Sequence, residues 1–117
     1  LIKVKGIGVA PAELEDCLLG HDKVEDVAVL GIQDEWAGEV PKAYIVLKPG
    51  NEANQDVGRE LLKYVRDRKV RYKAVKEVEF IEEIPKSGSG KILRRILRDQ
   101  AKKGATGVVV RQERPKI

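Results

Sequence analysis

The feature that most constrains this chain is residues 24–32, a β-branched and apolar run in which Val27 and Val29 alternate with Ala28, Leu30 and Ile32. Such a run reads as a strand buried on both faces. A second strand is expected over 42–48, opened by Pro41, where Ala43, Ile45 and Leu47 alternate with Lys42, Tyr44 and Val46. Residues 33–39 form a polar connection holding the only tryptophan, Trp36, and the two strands should pair antiparallel. Lys48-Pro49-Gly50-Asn51 makes the turn that follows.

The remaining elements are placed around this pair. Ile2, Val4, Ile7 and Val9, with Lys3 and Lys5 between them and Gly6 and Gly8 interrupting, predict two short strands around a tight glycine turn. Pro11 opens a helix with Leu14, Cys17 and Leu18 inward, Glu13, Glu15 and Asp16 on the other face, and Gly20 as a left-handed cap. A second helix runs from Asn54 or Asp56 to about residue 69 on the stripe Val57, Leu61 and Val65, widened by Leu62 and Tyr64. After a basic connection, residues 78–84 predict a third strand ended by Pro85. A last helix is expected over 91–103, with Ile92, Leu93, Ile96, Leu97 and Ala101 inward. The fold class is therefore α+β: a small central three-stranded antiparallel sheet flanked by helices, with an N-terminal short β-hairpin. Residues 104–117 are expected to be an extended or disordered tail, since Val108, Val109 and Val110 have no evident partner.

At 117 residues, 42% hydrophobic and 36% charged, the chain suits one soluble domain with a modest core. No apolar run approaches the roughly 20 residues of a membrane span. No charged leader precedes an apolar block, so no signal peptide is expected. Methionine is absent, and the expectation is a piece of a longer polypeptide carrying part of a shared site. A single cysteine, Cys17, excludes an internal disulfide and reads as a small core residue. A single histidine, His21, argues against zinc catalysis and is expected on the surface. No metal ligand is assigned. An intracellular location is expected, cytoplasmic or peroxisomal; Pro115-Lys116-Ile117 resembles a peroxisomal tripeptide only faintly.

The net charge is +4, and the excess is local. Lys86, Lys91, Arg94, Arg95, Arg98, Lys102 and Lys103 face only Asp99, a positive field suited to phosphates. Within it lies Pro85-Lys86-Ser87-Gly88-Ser89-Gly90-Lys91-Ile92-Leu93-Arg94-Arg95. Its glycines free the backbone and its serines can cap a helix, so the stretch reads either as an ordinary helix start or as a flexible mount for a working lysine. It is not a nucleotide-hydrolase phosphate loop: Pro85 stands where the first glycine belongs, and Ile92 where Ser or Thr belongs. A small basic nucleic-acid-binding module is the alternative from another class. With 4% aromatic residues and none on the last helix, base stacking and sequence reading are not indicated, and no nucleic-acid partner is expected.

Two stretches together resemble the carboxy-terminal domain of the adenylate-forming enzymes: Ile2-Lys3-Val4-Lys5-Gly6-Ile7-Gly8-Val9-Ala10-Pro11-Ala12-Glu13-Leu14-Glu15, and the serine-glycine motif with Lys91. Val27-Ala28-Val29-Leu30-Gly31 and Gly38-Glu39-Val40-Pro41-Lys42-Ala43-Tyr44 extend the likeness, which covers residues 1–103 and is greatest to 4-coumarate-CoA ligases and phenylacetate-CoA ligases. The resemblance implies the mobile lid of an acyl- or aryl-CoA synthetase, a ligase using a carboxylic acid, ATP and coenzyme A, with Mg2+ held by a larger amino-terminal domain. It implies that Lys91 serves carboxylate adenylation. After the lid rotates, the glycine turn serves thioester formation, with Lys3 on the nucleotide phosphate and Lys5 with Gly6 on the coenzyme A side. Alone, the chain is expected to make no adenylate. Many coumarate ligases carry glutamine where this chain has Gly8, which argues against a hydroxycinnamate substrate. A lid that loads a carrier protein, and a pure docking domain, are the alternatives.

Overall fold

The computed structural model describes residues 1–105 and 107–112. In chain order the elements are β1 (Ile2–Val4), β2 (Ile7–Val9), α1 (Pro11–Leu19), β3 (Val24–Asp34), β4 (Gly38–Leu47), α2 (Gln55–Arg68), a 3₁₀ turn (Arg71–Lys73), β5 (Glu77–Phe80), α3 (Arg94–Ala101) and β6 (Val109–Arg111). Alternation along β3 and β4 divides the molecule into two layers, because successive side chains of a strand point to opposite faces. Val27, Val29, Ala43 and Ile45 join Leu14 and Leu18 of α1 and Leu61, Leu62 and Val65 of α2 in the larger core. Ala28, Leu30 and Tyr44 turn the other way and pack with Ile84 and with Leu97 of α3.

The α+β class and the N-terminal hairpin stand, and β3 and β4 pair antiparallel from Val24↔Leu47 to Asp34↔Gly38. The sheet differs from expectation in two respects. First, β5 lies parallel to β4, with Lys42↔Glu77 and Tyr44↔Glu79 in register. The connection between them carries α2 across one face, and a helical crossover returns a strand in the same direction. Second, the sheet is larger than three strands: β1 joins the hairpin to β4 at Val4↔Gly38, and β6 pairs antiparallel with β5. The 104–117 stretch thus contributes an edge strand within its described part. Thr106 and residues 113–117, including the tripeptide singled out above, lie outside the described residues.

Three local readings are also corrected. Gly20 is not left-handed (φ −76°). A Cβ there would stand 3.0 Å from Tyr64 Oη and 3.3 Å from the Cys17 carbonyl, a close approach that glycine avoids. His21 is not a surface residue: its side chain is 9% exposed, packs edge-on against Tyr64 and bonds through Nε2 to Glu60 at 2.8 Å. The last helix begins at Arg94 rather than Lys91, and Ile96 is exposed while Leu97 is buried.

Val110 is buried against α2, where Gly58 leaves room for it; a Cβ on Gly58 would overlap the Val110 side chain. Gln55 Nε2 donates to the Val109 carbonyl at 3.0 Å, and Asn54 caps α2 by accepting from the Val57 N–H. Alanine is ordinarily favoured over glycine within a helix by about 1 kcal/mol. Here Gly58→Ala should instead destabilise the protein by about 1–3 kcal/mol through overpacking, read from urea unfolding. An unchanged or raised midpoint would show that β6 does not seat on α2.

Candidate functional site

Lys91 lies on a small closed loop. Lys86 and Ile92 form an antiparallel bridge. Ser87 holds both backbone groups of Lys91: its N–H donates to the Lys91 carbonyl at 2.9 Å, and its Oγ accepts the Lys91 N–H at 3.2 Å. Gly90 turns the chain at φ +85°, a value that favours glycine, and donates to the Ser87 carbonyl. The serine therefore closes the loop, and α3 starts later with no side-chain cap. Among the described residues no carboxylate pairs with the Lys91 ammonium, and the side chain is exposed.

Both stems of this loop are fastened to β3. At one stem Lys86 Nζ meets Asp26 Oδ2 at 2.7 Å. At the other, Arg94 bonds Glu15 through both nitrogens, Nη1–Oε2 at 2.6 Å and Nη2–Oε1 at 3.0 Å. Its Nη1 also donates to the Val29 carbonyl at 2.9 Å, while Glu15 Oε2 accepts the Val29 N–H at 2.8 Å. Arg98 donates to the Gly31 carbonyl at 3.2 Å. Glu15 is thus not on a solvent face, as the helical pattern suggested, but buried at 7% exposure. Arg94 and Arg98 are spent on β3 rather than free for a phosphate surface.

Lys3, Lys5 and Gly6 come together on the β1–β2 hairpin. Lys5 (φ 51°) and Gly6 (φ 79°) are both left-handed, the geometry of a tight two-residue turn. The Lys5 N–H donates to the Ala37 carbonyl at 2.7 Å, and the Lys3 N–H to Glu39 Oε1 at 2.9 Å. Asp34 Oδ2 accepts the Trp36 and Ala37 N–H groups and fixes the loop on which the hairpin rests. Apart from the adjoining residues Lys5 and Ile7, no described atom lies within 4 Å of where a Cβ on Gly6 would sit, so this side of its backbone is open to approach. Lys91 is not part of this group. Its loop is tied to Asp26, the hairpin to the Asp34–Gly38 end, and these anchors are eight residues apart on β3, about 26 Å at 3.3 Å per residue.

The sequence pattern of the AMP-binding enzyme C-terminal domain matches residues 13–91. The chain belongs to that family. The domain is 53% identical over 100 residues to 4-coumarate–CoA ligase-like 9 of Oryza sativa subsp. japonica, spanning 86% of this chain and 18% of that protein. It is 44% identical over 98 residues to acyl-CoA synthetase 7 of Caenorhabditis elegans, spanning 84% of this chain and 18% of that protein. Among solved structures, a Brucella canis acyl-CoA synthetase superposes with a TM-score of 0.81 at 32% identity, over 88% of this chain and 19% of the other. The chain thus spans about a fifth of the length of such relatives.

The domain also holds an ionic cluster that the sequence did not signal, because Lys42 reads as a strand's solvent face. Lys42 Nζ sits 2.8 Å from both Glu77 Oε2 and Glu79 Oε1, over the Tyr44 ring, and Arg111 Nε meets Glu77 Oε1 at 2.8 Å. The parallel register creates it by setting Lys42 beside Glu77 and Tyr44 beside Glu79. Burial works against the Lys42 charge, but hydrogen bonds to the two carboxylates outweigh it and raise its pKa. Burial likewise opposes ionised Glu77, yet hydrogen bonds from Lys42 and Arg111 hold its carboxyl below the usual value. Burial raises Tyr44 and Cys17. Among the described residues no group of three or more His, Cys, Asp or Glu could hold a metal ion, and no helix is long and apolar enough to cross a membrane.

A depressed Glu77 contributes stability that is full above its unfolded value of about 4.5 and lost as pH falls through the lower folded value. Lys42, raised, contributes fully below its ordinary 10.5 and loses its part only in alkali. Lys42→Met should cost about 3–5 kcal/mol at neutral pH by leaving two buried carboxylates facing each other. Its stability should then rise as the pH falls toward about 5, where protonation relieves the repulsion. The parent protein should be flat over that range in urea titrations. A variant with a flat profile would show that the cluster is not ionic.

Proposed function

We propose that this domain is the mobile carboxy-terminal lid of an acyl- or aryl-CoA synthetase, the lid comprising residues 1–103 together with the edge strand β6. The observation that carries the reading is the Lys91 ammonium, unpaired among the described residues on an exposed loop whose stems are fixed, while Arg94 and Arg98 are engaged. In adenylation, a carboxylate oxygen attacks the α-phosphorus of ATP and the bond to pyrophosphate breaks. Two anions meet there, and Lys91 offsets their repulsion and the charge of the crowded phosphate. A lysine suits this task because its compact charge rides on a long flexible stem that can reach across a cleft. Mg2+ is assigned to the larger domain, and no residue of this chain is given to it.

In the second step a thiol attacks the acyl carbon and AMP leaves. Lys5 and Gly6 are assigned to the coenzyme A side and Lys3 to the nucleotide phosphate. The open space at Gly6 supports this, because a thiol arm passing that residue would meet no side chain of its own. The wide separation of the hairpin from the Lys91 loop supports rotation of the lid between the steps, since two distant faces cannot serve one reaction centre together. The relatives' names favour coenzyme A over a carrier protein as acceptor. Against the nucleic-acid alternative stands the commitment of Arg94 and Arg98 to β3.

In the intact ligase, Lys91→Ala should lower formation of acyl-adenylate by about 10²–10³-fold, the cost of removing one preorganised charge-stabilising donor. Thioester formation from supplied acyl-adenylate should stay near the parent rate. Survival of both half-reactions would remove the role given to Lys91.

A further inference from the structure

Glu15 stands apart from the residues assigned so far, because it is a buried carboxylate of α1 that touches the Lys91 loop only through Arg94. We infer that Glu15 is a positioning residue for Lys91, acting through Arg94 and the edge of β3; this rests on the reading of Lys91 as the adenylation lysine. Val29 faces Ala43 across the ribbon, yet its own N–H and carbonyl go to Glu15 and Arg94, so they point away from β4. Glu15 closes this three-part junction. One of its oxygens serves both the Val29 N–H and Arg94 Nη1, and the other holds Arg94 Nη2.

The junction fixes Arg94 in position and orientation, since a guanidinium held by two parallel bonds and a third to a carbonyl has little rotational freedom. Arg94 is the first residue of α3 and lies three positions after Lys91. Between them the Leu93 N–H bonds the Pro85 carbonyl, which links the anchored stem to the opposite one. The loop itself has only the Ser87 bonds and glycines of open conformation, so its internal contacts do not set where it points. That direction is set at the stems. The Lys86–Asp26 pair is more exposed than the Glu15–Arg94 pair on the carboxylate side, 28% against 9%, and is weaker for it. Catalysis by a charge placed at a reacting phosphate depends on sub-ångström placement, so loosening the stem should slow the step Lys91 serves and spare the step it does not.

The test uses the intact ligase with Glu15→Gln, Arg94→Lys and Lys91→Ala measured side by side in both half-reactions. Glutamine keeps the size of Glu15 and an oxygen for the Val29 N–H but loses the charge and the two-pronged hold on Arg94. The expected result for Glu15→Gln is a drop in kcat for adenylate formation of about tenfold or more, with KM for ATP little changed and thioester formation from supplied adenylate within about twofold of the parent. Arg94→Lys keeps the charge but not the fork, and should show the same split to a smaller degree; it decides the matter if Glu15→Gln does not fold. Hydrogen exchange should quicken at the Ser87 and Leu93 amides in Glu15→Gln and not in Lys91→Ala. If Lys91→Ala loses adenylation while Glu15→Gln and Arg94→Lys keep it, the positioning role is overturned and the reading of Lys91 stands. It is equally overturned if both half-reactions fall together in the two variants, which marks general destabilisation. If Lys91→Ala keeps adenylation, the reading of Lys91 fails and the positioning role with it.

Discussion

The structure depends on how the open edge of β3 is closed. This strand is covered by apolar packing on both faces, so water cannot serve its backbone, yet β4 pairs only one of its edges. Unpaired groups in such a place cost as much as lost hydrogen bonds, and a bare edge also invites pairing with another chain. Glu15, Arg94 and Arg98 supply side-chain partners to Val29 and Gly31, while Asp26 accepts the Val27 N–H and binds Lys86. One requirement of the sheet thereby determines where α1 and α3 sit and where the loop between β5 and α3 is fastened.

The same ribbon sets the spacing of the two surfaces to which function is assigned. Its Asp26 end carries the Lys91 loop, and its Asp34–Gly38 end carries the β1–β2 hairpin. A long two-stranded ribbon with cores on both sides is stiff, so the two surfaces proposed to work keep a constant separation within the domain. A reaction needing each in turn at one centre then requires motion of the whole domain, which is how the proposed lid would act. The parallel β4–β5 pairing adds a second constraint. It sets Lys42, Glu77 and Glu79 together, almost fully buried, where complete pairing is needed because any one of them alone would be an uncompensated buried charge.

What could be read beforehand follows periodicity and special backbone needs. The strand pair, the three helices, the hairpin with its Lys5–Gly6 turn and the loop carrying Lys91 all leave local patterns. Lys3, Lys5, Gly6 and Lys91 stand out through the family resemblance rather than through local chemistry, and the structure shows the first three sharing a hairpin and Lys91 on a separate loop. Glu15 and Lys42 read as solvated because charge beside an apolar stripe normally faces water, and Arg94 reads as part of a phosphate-facing positive field for the same reason. The one available signal for Glu15 was its place next to Leu14 and three residues before Leu18, at the border of the buried stripe of α1. Val110 had no readable partner because the glycine that receives it, Gly58, lies far away in the chain and inside a helix.

By itself, then, the sequence determined which segments become strands and helices, which faces of them are apolar, and which residues sit on the turn and loop proposed to work. These follow from interactions within a few residues: side-chain alternation, helical spacing, and the backbone freedom of glycine and restraint of proline. Only the tertiary structure decided that β5 runs parallel to β4, that β6 closes the sheet on Gly58, and that Glu15 reaches Arg94, seventy-nine positions away, across the edge of β3. Those outcomes rest on pairing buried polar groups between distant segments, and no local pattern encodes which distant partner will meet the need.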